Sequence, residues 1–177
     1  MIFYSRNLLT VRKENLVEVA RINVAYDEDI AHLKKSIEGL ANDIMIDYPY
    51  KRTKPPKTEL DLDKVLKFIK NIDKVKYFAI SNAERPKLMK VIRGYLPKRI
   101  TIVPKIETLR GVNYLTKIIK AAQTDLIMID REDLYTNMGR EKFRELYTKT
   151  CKRIHRTCKK NKVRVLELKG VIFEDII

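Results

Sequence analysis

Cysteine is scarce in this chain: Cys151 and Cys158 are the only two. On one helix they would stand two turns apart, about 10 Å at 1.5 Å per residue, too far to bridge. A disulfide scaffold is thereby excluded, and a reducing, cytoplasmic setting is the expectation. No apolar run approaches the ~20 residues of a membrane span. The N-terminal MIFYSRNLLTVRKE lacks a basic stretch followed by an apolar block, so neither a membrane anchor nor a signal peptide is expected. An inter-domain linker, a low-complexity segment and an RGG-like run are also missing, as is a basic stretch rich in aromatics. What remains is the balance of one globular domain over 1–177, with 45% hydrophobic and 34% charged residues. The formal net charge is +15, which points to anionic partners. A small anionic substrate is the first expectation. Nucleic acid is the lesser one, because abundant lysine and a solvated surface account for part of the excess.

Short β-rich runs alternate with amphipathic stretches. Strands are expected at 2–4, 19–24, 43–47, 77–81, 99–104, 125–129 and 163–168. Helix-period faces lie between them. Ile30, Leu33, Ile37 and Leu40 share a face in 27–40, and Val65, Phe68, Ile69 and Ile72 in 62–72. Further helices are expected over 85–95, 112–122 and 139–161. Strands alternating with helices predict βαβ units, a parallel sheet and right-handed crossovers. One unit about every 25 residues is the spacing of a (β/α) barrel, but a closed eight-stranded barrel takes ~200 residues or more. The fold class is therefore α/β, a small TIM-type parallel barrel that is incomplete or is completed by a partner chain. The proline-rich, basic 48–56 reads as a loop at the carboxyl end of the third strand.

The segment 99–139 carries the chemistry. Its first strand ends in Lys105 and Glu107, its second in Asp130, Glu132 and Asp133. Carboxylates and a lysine at the carboxyl ends of neighbouring parallel strands suit a divalent-metal site for a small anion. Cys151, His155 and Cys158 also have metal-like spacing, but no fourth ligand accompanies them, and a helix's buried face explains them better. The basic run 149–164 reads as a solvated helix face with its charge near the C-terminus, where the macrodipole favours it.

The run IVPKIETLRGVNYLTKII and the DLIMIDREDL that follows it resemble the core of pyruvate kinase. There a strand ending in Lys-Ile-Glu precedes one ending in Arg-Gly-Asp-Leu. VARINVAYDEDIAHLKKSI, IMIDYP and KYFAISNAERPKLMKVIRGYL are similar to that family's preceding segments, in the same order. The wider superfamily of phosphoenolpyruvate- and pyruvate-binding barrels is similar too. Its citrate-lyase-type and hydroxy-acid aldolase members carry Ile-Glu-Thr, here residues 106–108, and an Asp-Leu followed by Gly, here Asp133, Leu134 and Gly139.

The resemblance implies Glu107 and Asp133 as ligands of Mg2+ or Mn2+. It implies Lys105 and Arg21 as catalytic, with Arg21, Ser81 and Lys105 binding substrate. Asn23 and Asp47 stand where the family holds a monovalent cation such as K+. The implied activity is phosphotransfer or carbon–carbon cleavage on phosphoenolpyruvate, pyruvate or a related 2-oxo acid. The chain departs from the pyruvate kinase pattern at Ala25, Tyr26, Pro49, Glu132 and Leu168, and it has no room for that family's lid domain. The alternative reading is a catalytically degenerate barrel that binds phosphates, RNA or a protein partner, including a second copy that completes the barrel.

Overall fold

The structure, a computed structural model, describes residues 3–5, 19–52, 57–138 and 143–168. Ile2, Gly139 and positions 53–56 of the expected loop lie outside the described residues, as does the side chain of Leu168. Among the described residues there are seven strands, alternating with helices from β2 onward: β1 (Phe3–Ser5), β2 (Val19–Asn23), α1 (Ile30–Glu38), β3 (Asp43–Tyr48), α2 (Leu62–Ile69), β4 (Val75–Ile80), α3 (Pro86–Tyr95), β5 (Thr101–Pro104), α4 (Leu109–Ala122), β6 (Leu126–Asp130), α5 (Arg131–Asn137), α6 (Phe143–Lys160) and β7 (Arg164–Leu168). A 3-10 turn, Val24–Tyr26, follows β2.

All ladders are parallel, as the alternating pattern predicts. β1 to β5 pair in sequence order, and β6 pairs with β7. A single bridge between Lys105 and Met128 joins the two sheets, with Ile106 N donating to Met128 O at 2.8 Å. Among the described residues no ladder returns from β7 to β1.

The sequence sets the layers through the two-residue period of a strand. Ile22, Ile44, Ile46, Phe78, Ile80, Ile102, Ile127 and Ile129 face outward and pack under the helices, against Leu33, Val65, Met89, Leu115, Ile118 and Ile154. The alternate residues Val19, Met45, Ala79, Val103, Leu126 and Met128 form a second, inner cluster. In a flat sheet β2 and β6 would lie about 19 Å apart, at ~4.8 Å per strand. Their side chains share one inner cluster, so the sheet curls around it. Both faces of each central strand are buried, which is why IMI, FAI and LIMI are unbroken apolar runs.

Helices α1 and α2 are shorter than their expected ranges of 27–40 and 62–72, and two further differences bear on the site. α4 begins at Leu109, three residues early, because Thr108 Oγ1 accepts from Gly111 N at 3.1 Å and caps the helix. α5 carries no helix period; only Leu134 in it is buried, so apolar spacing could not announce it. Asp130 Oδ1 caps it by accepting from Asp133 N at 3.3 Å, and Glu132 and Asp133 sit in its first turn, where the macrodipole favours acids.

Phe78 has no solvent exposure and lies between β4 and the helices. Phe78→Ala should lower the unfolding free energy by about 3–5 kcal/mol, read by urea denaturation followed by circular dichroism. A loss under ~1 kcal/mol would mean that this layer is not a packed core.

Candidate active site

A cavity of about 290 Å3 opens at the carboxyl ends of the strands. The inward-facing register that builds the inner cluster also builds this cavity. Met45, Ala79 and Val103 point inward. The next inward residue on each chain is Asp47, Ser81 and Lys105, and on β2 the inward set is Val19, Arg21 and Asn23. All seven residues singled out from sequence, Arg21, Asn23, Asp47, Ser81, Lys105, Glu107 and Asp133, line the cavity.

Its base is a buried network of charges. Arg21 Nε donates to Asp47 Oδ2 at 2.8 Å, and Nη2 bonds the same oxygen. Lys105 Nζ lies 3.5 Å from that oxygen, 2.9 Å from Glu107 Oε1, and donates to Ser81 Oγ at 3.1 Å. Glu107 Oε2 accepts from the Asn82 backbone N–H at 2.8 Å. Asn82 adopts φ 49°, a left-handed conformation that asparagine tolerates, and its side chain donates to Tyr50 O at 3.0 Å. Asn137 Nδ2 donates to Glu107 O at 3.0 Å and ties α5 to the end of β5.

Glu84 and Gly111 hold the loop after β5. Thr108 Oγ1 donates to Glu84 Oε1 at 2.7 Å. A Cβ on Gly111 would sit 3.0 Å from Ala83 O, so the first turn of α4 passes close against the β4 loop. These contacts give Ile-Glu-Thr-Leu-Arg-Gly a local reason: Ile106 is core, Glu107 faces the cavity, Thr108 caps and Gly111 permits the approach.

Charge decides the protonation states. Burial works against the Lys105 ammonium, yet the Asp47 and Glu107 carboxylates beside it hold its pKa well above the ordinary lysine value. Burial likewise opposes ionised Asp47, but Lys105 and Arg21 outweigh it and keep the carboxyl below the usual range. Glu107 goes the other way. Burial pushes it up to about 7, Lys105 offsets only part of this, and the charge of Asp133 adds to the rise.

Glu107, Asp130 and Asp133 converge, with one carboxylate oxygen from each lying within 4.8 Å of the others. Asp130 is the member that the sequence-based ligand set lacked, although it ends the same strand. Inward parity after Met128 was the signal that could have found it. Glu132, the other acid of that turn, does not line the cavity. The donor set fits a hard divalent cation. Glu107 Oε1 is buried with the Lys105 ammonium 2.9 Å away as its ionic partner, and Asp47 Oδ1 is buried with no hydrogen-bond partner among the described residues. Five carboxylates (Asp47, Glu84, Glu107, Asp130, Asp133) and four cations (Arg21, Lys51, Arg52, Lys105) line the cavity, and three of the carboxylates are the ones that converge. At the expected monovalent-cation position, Asn23 Oδ1 accepts from Ala25 N at 3.0 Å, and Asp47 Oδ2 is taken up by Arg21 and Lys105.

A curled parallel sheet with helices outside and an acidic cluster at its strand ends defines a protein of the TIM-type barrel class. The family model described as HpcH/HpaI aldolase/citrate lyase matches residues 17–173, and the chain belongs to that family. This places it among the phosphoenolpyruvate- and pyruvate-binding barrels; the narrower likeness to pyruvate kinase is not carried by the match. Three solved structures share the fold. RipC from Yersinia pestis is 13% identical, with 98% of this chain and 76% of that one covered at a TM-score of 0.65. The citrate synthase SbnG is 14% identical, with 86% and 69% covered at a TM-score of 0.65. CitE from Mycobacterium tuberculosis, solved in complex with magnesium and pyruvate, is 15% identical, with 90% and 67% covered at a TM-score of 0.64. No curated protein matches the chain. Among the described residues no helix is long and apolar enough to cross a membrane.

The raised pKa of Glu107 predicts a pH signature without metal. The folded chain keeps a proton that the unfolded chain releases near 4.5, so this group's stabilisation is present at acid pH and is lost as pH rises through about 7. Wild type should therefore lose stability relative to Glu107→Gln over that window, by on the order of 2–3 kcal/mol. Thermal melts of both proteins from pH 4.5 to 8 test this, and parallel curves would contradict it.

Proposed function

We propose that this chain is a divalent-metal-dependent enzyme that makes or breaks a carbon–carbon bond in pyruvate or a related 2-oxo acid, working as one barrel domain over 1–177 in the cytoplasm. The observation that carries the reading is the convergence of Glu107, Asp130 and Asp133 beside the buried Lys105 and the partly buried Arg21. Family membership supports the reaction class. The magnesium and pyruvate in the CitE complex support the metal and the substrate type.

In this reading Glu107, Asp133 and Asp130 hold Mg2+ or Mn2+. When bound there, the ion polarises the carbonyl oxygen of a 2-oxo acid as a Lewis acid. Arg21 serves the substrate carboxylate. Its Nε and Nη2 hold Asp47, which leaves the Nη1 edge for a planar anion. Lys105 stays protonated, so it acts as a fixed positive charge against the developing oxyanion rather than as a base. Ser81 steadies Lys105 and faces the substrate. Asp47 orients both cations. With Arg21 and Lys105 occupying its charge, this reading assigns no K+ to Asn23 and Asp47. A second copy, packed beside β1 and β7, is the protein partner this reading includes. Phosphotransfer, which the pyruvate kinase resemblance implied, has less behind it, because the matched family is one of aldolases and citrate lyases.

Exchange of pyruvate methyl protons with D2O, followed by proton NMR with Mg2+ present, tests the chemistry. Exchange is expected in wild type. Asp133→Asn should reduce it by weakening metal binding, and Lys105→Ala should slow it by about 10²-fold while metal binding persists. Mg2+ with oxalate at 100 times Kd should add about 2.7 kcal/mol of stability. Neither exchange nor stabilisation would leave the degenerate, binding-only barrel as the better account. Asp130→Asn should weaken Mg2+ binding about as much as Asp133→Asn does, checked by calorimetric titration; an unchanged affinity would remove Asp130 from the set.

A further inference from the structure

We propose that the outer face formed by α4 and α6 binds the phosphate backbone of single-stranded nucleic acid. The composition shows an excess of positive charge; the structure shows where it is placed. α4 reads LRGVNYLTKIIKAA and has no acidic residue. α6 has one, Glu145, which is occupied by Lys149. The helices pack side by side and run parallel, since each leads into a strand of the parallel wall. Arg153 Nη1 donates to Asn113 Oδ1 at 2.9 Å across the seam. Lys117 and Lys120 on α4 and Arg156 and Lys160 on α6 are exposed and fall on the seam side by the 100° spacing of a helix. Among the described residues no carboxylate pairs with any of the four. By contrast, Lys34 on α1 is answered by Glu38, and Lys64 and Lys67 on α2 by Asp61 and Asp63.

Two features favour nucleic acid over a lipid surface. The cations form a row along the helix axes: Arg153 to Lys160 spans about 10 Å at 1.5 Å per residue, which suits successive phosphates of one strand. Beside them Tyr114 is 39% exposed, with Lys117 Nζ 5.7 Å from its ring centroid, an aromatic plane on which an unpaired base can stack. The site lies on the outside of the barrel, remote from the strand-end cavity, so it does not depend on the proposed reaction.

The test uses the full chain and a fluorescent polyuridylate of about 20 nucleotides, with binding read by anisotropy. Neutralising about five phosphates predicts an affinity falling about 100-fold between 50 and 200 mM salt. A variant carrying Lys117→Glu, Lys120→Glu, Arg156→Glu and Lys160→Glu should bind at least tenfold more weakly, with a shallower salt dependence. A control carrying Lys34→Glu, Lys35→Glu, Lys64→Glu and Lys67→Glu, with the same change in net charge, should keep most of the affinity. Tyr114→Ala, a single exposed change that leaves the charges in place, should weaken binding about fivefold or more with the salt slope unchanged. Equal losses in the two charge variants would reduce the effect to net charge and overturn the proposal. No binding at 100 mM salt, or binding to phosphatidylserine vesicles without binding to the oligonucleotide, would overturn it as well.

Discussion

Lys105 is the residue on which the other parts of the molecule converge. Its backbone closes the bridge to Met128 that joins the five-stranded and two-stranded sheets. Its side chain stands between Asp47 and Glu107 and donates to Ser81. A lysine buried to this degree is stable in its charged form only because two carboxylates and a hydroxyl replace its water. Those carboxylates in turn need Lys105 and Arg21, so the ends of β2, β3, β4 and β5 are held in one arrangement. The wall of the barrel and the floor of the cavity are thus a single electrostatic unit.

That unit is not symmetric. Asp47 is surrounded by cations and stays ionised, whereas Glu107 has one cation, a backbone donor and an acidic neighbour. Two carboxylates about equally buried therefore have opposite tendencies, and the one beside Asp130 and Asp133 is the one whose proton is held up to about pH 7. In the proposed reading Asp47 orients the cations and Glu107 binds, a division set by neighbours rather than by residue type.

The outer layer follows a different logic. Glu167 faces outward and binds Arg131 and, at 2.7 Å, His155, which pins α5 and α6 to the last strand. Beyond that contact α6 carries cations almost alone. The molecule therefore gathers charges of both signs at the strand ends, with three carboxylates converging there, and positive charge along the α4–α6 face, so its net charge describes neither surface.

Much of the architecture was legible in the residues. Buried parallel strands need apolar residues on both faces, so runs such as IMI, FAI and LIMI marked β3, β4 and β6 to within two residues, and the period of Leu115, Ile118 and Ile119 marked α4. The strand-end position of Lys105, Glu107 and Asp133 was equally plain, because short-range parity and turn chemistry are local. Three things were not legible. α5 was hidden because it is held by a side-chain cap and by Asn137 rather than by an apolar face. The role of Asp130 was hidden because proximity to Glu107 depends on how far the sheet curls. The sorting of charges was hidden because it depends on which helices lie side by side. Sequence alone determined the elements, their order and the set of chemically able side chains, all of which follow from local period and residue type. Tertiary structure decided which carboxylate is answered by which cation, since those partners come from strands up to 58 residues apart in number, Lys105 and Asp47 among them, and only the curled sheet brings them within reach.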